Sequence, residues 1–285
     1  MSAKAWDRLA TIVMWLAAAL ILALLGWFIG LILWRGLPVI SWHFLTARPS
    51  EVEAGGGVGP ELFNSFYVVL LSLVLSVPVG VGAGIYLAEY APRGTLTDLV
   101  RLAVESLATV PSIVLGLFGM IIFVNFLGLS FSILGGAATL ALLNLPVLVR
   151  VTEDSVRAVP GSFREGALAL GATRYQTLLR VVLPAALPGL VVGVTLVAGR
   201  ALGETAILIF TAGTSVSRHL FDLNPLAAGE TLAVRLWSIQ SESVVPDAAR
   251  IARGISALLV LVVLVFNLGV GIPGRWLERR LSGRS

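Results

Sequence analysis

Residues 162–184 read SFREGALALGATRYQTLLRVVLP, and they interrupt a chain that is otherwise rich in Leu, Val, Ala and Ile. Four charged side chains lie within this stretch: Arg164, Glu165, Arg174 and Arg180. A polar stretch bounded on both sides by long apolar runs predicts a water-facing connection between two buried segments.

The same stretch carries the signals of two short helices. Residues 162–165 (SFRE) fit a capping box, and Gly171 stands where a left-handed residue ends a helix. Residues 173–176 (TRYQ) form a second capping box, and the helix that they begin meets Pro184 just before the next apolar run. We expect two short helices at an angle to each other.

The first of these helices has only about eight residues, fewer than the ~12–15 that a helix needs for marginal stability in water. Something must pack on it, and Phe163, Leu168 and Leu170 are apolar anchors for such a contact. Two interpretations are open at this point. The helix is either a connector that lies on the membrane surface or a docking element for another protein.

The composition places most of the chain in a membrane. Of 285 residues, 57% are hydrophobic and 13% are charged, with a mean hydropathy of +0.95, whereas a soluble domain has about 25% charged residues. A span needs about 20 apolar residues. Six stretches qualify, which predicts an all-α membrane protein: Thr11–Trp34, Phe63–Ala88, Ala103–Leu127, Phe131–Val149, Pro188–Ala212 and Ile255–Ile272. The first is longer than the apolar core of a signal peptide, so we expect a retained span.

Positive residues set the predicted orientation, because loops on the cytoplasmic side carry an excess of Lys and Arg. One side holds Lys4, Arg8, Arg93, Arg101, Arg150, Arg157, Arg164, Arg174, Arg180, Arg275, Arg279, Arg280 and Arg284. The other side holds only Arg35, Arg48, Arg218, Arg235, Arg250 and Arg253. Both termini and the segment at 155–186 are thus predicted to be cytoplasmic, and the basic charge needs no nucleic-acid partner.

Two details of the spans and one of the outer loop predict local structure. Gly80, Gly82 and Gly84 indicate close helix packing, and Pro111 predicts a kink in the third span. In the long outer loop, GETLAVRLWSIQ at residues 229–240 predicts a short helix at the membrane interface, with an apolar face formed by Leu232, Leu236 and Ile239.

The water-facing segment resembles the coupling motif of binding-protein-dependent ABC importer permeases, EAA, three residues, G, nine residues, I-x-L-P. The residues on that spacing are Glu165, Gly166, Ala167, Gly171, Val181, Leu183 and Pro184, with Gly and Val in place of one Ala and the Ile. The resemblance implies the type I importer permease fold, one permease domain over 1–285 with a bundle at about 62–272, and docking of this helix on an ATP-hydrolysing subunit.

The residues themselves exclude an ATPase site in this chain. A P-loop needs a Lys that reaches the terminal phosphates, and the only Lys is Lys4. There is no Cys, and His43 and His219 stand in outer loops with no metal or triad spacing around them. We expect no catalytic residue, metal or cofactor here; ATP and magnesium would be bound by the partner.

Arg200 and Glu204 are the ionisable residues deep in an apolar run, in GRALGETAILIF at residues 199–210. Spaced four apart, they are expected to share one helical face and to pair. Two roles remain open. They form a structural ion pair, or Arg200, Glu204 and Thr205 line the path of an anion.

Further stretches resemble the phosphate-specific permeases of the PstA type, among them PVGVGAGIYLAEYAP at 78–92, TVPSIVLGLFG at 109–119 and RALGETAILIFTAG at 200–213. Asn64 and Ser65 depart from a frequent Gly-Thr, and Ile207 from a frequent Pro. The resemblance implies phosphate import through the plasma membrane of a bacterium or archaeon. It implies as partners a PstC-like second permease, a PstB-like ATPase pair, a PstS-like phosphate-binding protein and membrane lipid.

Two alternatives stay open at this point. The first is a permease for another oxyanion, which would be sulfate, molybdate or tungstate, or phosphonate. The second is a secondary transporter, for which half-repeats or broken helices are expected, and the sequence shows neither.

Overall fold

The computed structural model of the chain describes residues 3–50, 52–217, 219–241 and 245–281, and the regular elements in those ranges are all helical. The elements of the first half are α1 (Ala3–Gly36), α2 (Trp42–Thr46), α3 (Gly59–Ile85) with a π-helical continuation (Tyr86–Tyr90), α4 (Thr95–Thr109), α5 (Ser112–Gly119) with a π-helical continuation (Met120–Phe126), and α6 (Ile133–Arg157). Those of the second half are α7 (Gly161–Ala169), α8 (Arg174–Thr177), a π-helical turn (Leu178–Val182), α9 (Leu183–Leu202), α10 (Ala206–Thr211), α11 (Leu232–Ser241) and α12 (Ala248–Leu281). Arg218 and Arg284, which contributed to the predicted orientation, lie outside the described residues.

Within the part of the chain that the structure describes, five continuous helices are long and apolar enough to cross a membrane: Trp6–Val39, Gly59–Tyr90, Ile133–Arg157, Arg174–Leu202 and Ala248–Gly269. The pair Thr95–Thr109 and Ser112–Phe126 makes a sixth if it is counted as one broken span. The prediction of an all-helical membrane protein with six apolar segments is confirmed in this form.

The third segment is broken and not merely kinked. Its halves α4 and α5 differ in direction by 100°, so the predicted continuous span over Ala103–Leu127 is wrong. The cause is local, because Val110 and Pro111 are both extended, with ψ of 128° and 139°. A residue before proline is driven out of the helical region, and two extended residues in succession end a helix.

The fifth segment starts earlier and ends earlier than predicted. The helix runs without interruption from Arg174 to Leu202, so the helix that starts at Arg174 is part of the span and not a separate short element. Its hydrogen bonds take π spacing over Leu178–Val182, just before Pro184, which has no N–H to donate. The predicted helix over Pro188–Ala212 then breaks at residues 203–205, before α10.

Helices α3 and α6 form the centre of the bundle and approach each other at glycines. A Cβ placed on Gly80 would lie 2.6 Å from that of Leu148, and one on Gly84 would lie 2.7 Å from the carbonyl oxygen of Val149. The packing interpretation is confirmed for these two glycines, whereas Gly82 has open space around it. A core of Val68, Leu140, Ala198, Ile207 and Leu208 joins the pair to α9 and α10.

The outer-loop helix exists but lies elsewhere than predicted. Helix α11 covers Leu232–Ser241, and its residues Leu232 and Ile239 are buried in a cluster with Phe44 and Ile255. The interfacial position is therefore wrong. The apolar face of α11 is covered by α2 and α12 of the same chain and not by lipid.

Candidate coupling and translocation sites

The exposed helix α7 is the first candidate site. It begins after Pro160, whose extended backbone places Ser162 inside the first turn, and no side chain caps it. The predicted capping box at residues 162–165 is therefore wrong. The end is as expected: Gly171 has φ +83°, and the Ala172 N–H donates to the carbonyl oxygen of Ala167 at 3.1 Å. The second capping box, at Thr173 and Gln176, is also confirmed.

The motif residues of this segment divide between two surfaces. Glu165 and Gly166 are exposed on α7, and Ala167 is half-buried. Leu183 and Pro184 are half-buried in α9, where Leu183 packs on a cluster of buried residues. That cluster consists of Val156, Val159, Leu178, Val182 and Ala186. Glu165 and Gly166 of α7 are therefore the motif residues most open to another molecule.

Helix α7 leaves apolar side chains uncovered within this chain. Phe163 is 52% exposed, Leu168 47% and Leu170 91%, and no residue of α7 is fully buried. Uncovered apolar groups beside a water-facing carboxylate are typical of a surface that a partner protein covers.

Arg164 anchors α7 to the bundle. Its Nε and Nη2 donate to Oε1 of Glu89 at 3.0 and 2.6 Å, while Nη1 donates to the carbonyl oxygen of Val159 and Nη2 to that of Val156. Glu89 belongs to the π-helical end of α3, and the two carbonyls belong to the end of α6 and the link that follows it. One guanidinium therefore ties the exposed helix to both central helices. This contact was not foreseen from the sequence, because Glu89 and Arg164 are 75 positions apart.

The second candidate site is the break at the end of α9. Arg200 is exposed in the last turn of that helix, whereas Glu204 and Thr205 are half-buried in the break before α10. Because the helix ends at Leu202, Arg200 and Glu204 do not share a helical face, and they form no ion pair with each other. The expected pairing is therefore wrong. Arg200, Glu204 and Thr205 lie close together along the chain, but the guanidinium of Arg200 and the carboxylate of Glu204 do not neutralise each other.

The surface around Arg200 is a narrow exposed stripe. Val192, Leu196 and Arg200 follow each other at intervals of four along α9, and the first two are 62% and 59% exposed. The opposite face of α9 is buried, with Ala198 and Ala201 in the core. An exposed guanidinium is costly in lipid, which favours a water-filled path or another protein chain beside this stripe.

A third charged group was missed by the sequence reasoning. Arg235, assigned to an outer loop, is buried, and its Nη1 lies 3.2 Å from Oε1 of Glu230, whose side chain is completely buried. Arg235 also donates to the carbonyl oxygen of Ser50, and Glu61 is buried close to the pair. The cation buried within the bundle is thus Arg235, whereas Arg200 is exposed on its surface.

Hydrogen bonds attach this buried pair to the start of α3. The side-chain amide of Asn64 donates to the carbonyl oxygen of Glu230 at 3.1 Å and to Oγ of Ser217 at 3.0 Å. Ser65 accepts from the backbone N–H of Leu232 at 2.9 Å. A signal in the sequence could have pointed here, since Gly-Glu-Thr at 229–231 repeats the triplet at 203–205. Among the described residues, no group of three or more His, Asp or Glu is placed to hold a metal ion.

The sequence was compared with known families and curated proteins. The family described as "Binding-protein-dependent transport system inner membrane component" matches residues 80–283. The "Probable ABC transporter permease protein YqgI" of Bacillus subtilis (strain 168) is 43% identical over 99% of both chains. The "Phosphate transport system permease protein PstA" of Mycobacterium leprae (strain TN) is 32% identical over 97% of this chain and 91% of its own.

The fold was compared with solved structures. A chain of a bacterial ABC transporter involved in the import of the acidic polysaccharide alginate matches with a TM-score of 0.61, 18% identity and coverage of 95% of this chain and 98% of its own. At that identity the likeness concerns the fold alone, and it confirms the predicted fold class.

Proposed function

We propose that this chain, which belongs to the family of binding-protein-dependent transport system inner membrane components, is one of the two permease subunits of an ATP-driven phosphate importer. The observation that carries the phosphate assignment is the similarity to PstA of Mycobacterium leprae over nearly the whole of both chains. The alignment covers 97% of this chain at 32% identity, so it includes both the Arg200 region and the coupling segment at 155–186.

Energy enters through α7. Glu165, Gly166 and Ala167 on its accessible part, with Gly171 at its end, would dock into a partner ATPase, which binds ATP and magnesium. When the ATPases close, they displace α7, and Arg164 passes the displacement to α3 through Glu89 and to α6 through the Val156 and Val159 carbonyls. Leu183, which packs on the cluster of Val156, Val159, Leu178, Val182 and Ala186, would connect the same movement to α9, in which Pro184 follows it.

Arg200 supplies the charge that an oxyanion needs inside the membrane. A phosphate ion carries one to two negative charges and does not enter hydrocarbon unpaired. The exposed stripe that ends in Arg200 would face the second permease subunit across the path, with Glu204 and Thr205 at the helix break beside it. Because Glu204 does not neutralise Arg200, the guanidinium is free to pair with the anion.

The assembly would hold this chain, a PstC-like permease, two PstB-like ATPases and a PstS-like binding protein on the outside, in the plasma membrane of a bacterium or archaeon. Both termini would be cytoplasmic. This orientation is supported by the excess of basic residues at the end of the bundle where α7 lies.

Two other functions are kept as alternatives. A permease for sulfate, molybdate, tungstate or phosphonate would use the same architecture with another anion. A secondary transporter is expected to have broken helices; the sequence shows none, yet the structure has breaks after α4 and after α9. The ATP-driven mechanism is therefore supported by the similarity to ABC permeases and not by an absence of broken helices.

The test is uptake of labelled phosphate by cells that lack this chain and then regain it beside its own partner subunits. We expect uptake to return and to be blocked by excess unlabelled phosphate but not by sulfate, molybdate or phosphonate. Return of sulfate or molybdate uptake instead would contradict the substrate, and uptake that persists without the ATPase would contradict the ATP-driven mechanism.

A further inference from the structure

A basic cavity of about 650 Å³ opens where α3 turns into α4, at the end of the bundle that carries α7. Arg93, Arg101 and Arg157 contribute to its lining, and Asp98 is the acidic residue among them. The proposed phosphate path does not use this cavity, since Arg200 belongs to another surface, on α9.

The arginines of the cavity outnumber the carboxylates that neutralise them. Arg157 and Arg101 both pair with the same oxygen of Glu153, at 2.6 and 3.0 Å, and both lie 3.4 Å from the carbonyl oxygen of Leu87. Asp98 lies 3.6 Å from Arg101. Glu105 and Asp154, which line an adjoining pocket together with Arg101 and Arg157, both pair with Arg150, another arginine. Glu89, next to Ala88 of the cavity lining, pairs with Arg164.

Arg93 is exposed and makes no ion pair with any residue that the structure describes. Three guanidinium groups therefore face two carboxylates around the cavity, which leaves one positive charge uncompensated. An anionic group bound in the cavity would neutralise this remaining positive charge.

An apolar slot of about 350 Å³ adjoins this basic cavity and shares Leu87, Pro92 and Gly94 with it. The slot is lined by Ala83 and Tyr86 of α3, Leu96, Val100 and Val104 of α4, and Val149 of α6. Since Ala83 and Tyr86 precede Leu87 along the spanning helix, the slot extends from the charged end toward the apolar layer. The arginines thus lie at the polar end of an apolar groove.

We propose that the cavity and slot together bind one anionic phospholipid, with its phosphodiester headgroup among Arg93, Arg101 and Arg157 and one acyl chain between α3 and α4. Basic pockets between spanning helices bind anionic headgroups in this way. A free phosphate ion offers the same oxyanion chemistry, but it leaves the apolar slot empty, and so the structure favours the lipid. The bound lipid fills the space between α4 and helices α3 and α6, close to the Arg164 contact that holds α7.

The test uses the full-length chain purified with its partner subunits and stripped of lipid. Binding of dioleoyl phosphatidylglycerol and of dioleoyl phosphatidylcholine, which differ in net headgroup charge and not in acyl chains, is measured by native mass spectrometry. We expect phosphatidylglycerol to bind at least about fivefold more tightly than phosphatidylcholine. Arg93→Gln should lower the affinity for phosphatidylglycerol about fivefold, which is the effect of one arginine near a headgroup. The same variant should leave the affinity for phosphatidylcholine unchanged. Equal binding of the two lipids to the wild type, which needs no variant, would overturn the proposal.

Two further arms separate the lipid from a free ion. Val100→Phe narrows the slot without changing a charge, and we expect it to weaken dioleoyl phosphatidylglycerol but not its dihexanoyl form. Millimolar inorganic phosphate should leave the long-chain lipid bound; displacement by phosphate, together with no effect of Val100→Phe, would make the cavity a site for the free ion and overturn the proposal. Arg180→Gln, an exposed arginine of the coupling segment that does not line the cavity, is the matched control and should change neither affinity.

Discussion

Arg164 in α7 and Glu89 at the end of α3 form a two-pronged contact, in which Nε and Nη2 of the guanidinium donate to the same carboxylate oxygen at 3.0 and 2.6 Å. The side chains are only 24% and 22% exposed, so solvent screens this ion pair less than it screens one on an open surface. The same guanidinium donates hydrogen bonds to the carbonyl oxygens of Val156, at the end of α6, and of Val159, in the link that follows. Helix α7 is therefore held directly against α3 and α6, the helices that it would move.

Loss of this anchor should uncouple ATP hydrolysis from transport. Arg164→Ala removes the ion pair and both carbonyl contacts, and we expect it to abolish uptake while the assembled complex still hydrolyses ATP. Because hydrogen bonds to charged groups contribute about 1.5–3 kcal/mol each, the free energy of unfolding should fall by about 2 kcal/mol or more. Uptake and hydrolysis are measured on the same preparation.

Two variants calibrate that experiment. Glu89→Gln keeps an acceptor for Arg164 and leaves the carbonyl contacts, so its effect should be smaller. Arg174→Gln changes an exposed arginine of the same segment that has no ion pair in the described part of the chain, and it should behave as wild type. Normal uptake by Arg164→Ala would show that the contact transmits nothing.

Docking of the ATPase should depend on the accessible part of α7. Glu165→Trp places bulk on the exposed face, and Gly171→Val puts a β-branched residue at φ +83°, a conformation that only glycine adopts without strain. Both should lose co-purification with the ATPase while the chain still inserts into the membrane. Gly161→Val is the matched control for Gly171→Val, since both sites are open but Gly161 has no positive φ. Association at the wild-type level in both test variants would refute the docking assignment.

Arg200 should be needed for transport and not for assembly. Arg200→Ala removes the positive charge of the α9 stripe and is expected to abolish phosphate uptake, while the purified complex keeps its subunit composition. Arg200→Lys retains the charge but not the planar fork, so partial uptake is expected. Leu196→Ala, one turn away on the same stripe, should leave uptake largely intact. A complex that falls apart in Arg200→Ala would indicate a structural role instead.

The buried pair of Glu230 and Arg235 should act on stability. Arg235→Met leaves a buried carboxylate without its cation, which costs about 3–5 kcal/mol. The double variant Glu230→Gln, Arg235→Met removes both charges and should recover most of that loss. Thermal unfolding of the purified chain measures both, and a single variant as stable as the wild type would contradict the assignment of the pair as a structural support.

The helices and the coupling segment could be predicted from the sequence, whereas the helix breaks could not. Apolar runs and the Thr173–Gln176 cap are local signals, and the structure follows them. Pro111 indicated a kink but not a change of direction of 100°, and at 203–205 the polar triplet lies within a segment whose average hydropathy still indicates one helix. The Arg164 to Glu89 and Arg235 to Glu230 contacts depend on tertiary packing, and the pairing expected for Arg200 failed because it assumed a continuous helix.

The orientation of the chain has a direct check, since it contains no cysteine. Single cysteines at Ser41 and Ala169 replace exposed residues at opposite ends of the bundle. A membrane-impermeant maleimide added to intact cells, or to spheroplasts where an outer membrane blocks access, should label the first and not the second until the membrane is opened. The reverse pattern would overturn the topology and the assignment of α7 to the cytoplasmic side.

The central claim is that this chain forms part of an ATP-driven path for phosphate. The most direct measurement uses proteoliposomes that contain this chain with its partner permease and ATPases, with ATP at the ATPase side and the binding protein with labelled anion at the other. We expect phosphate to accumulate only when both ATP and the binding protein are present, and Arg200→Ala to abolish this accumulation. Accumulation of sulfate or molybdate in place of phosphate, or phosphate movement without ATP, would contradict it.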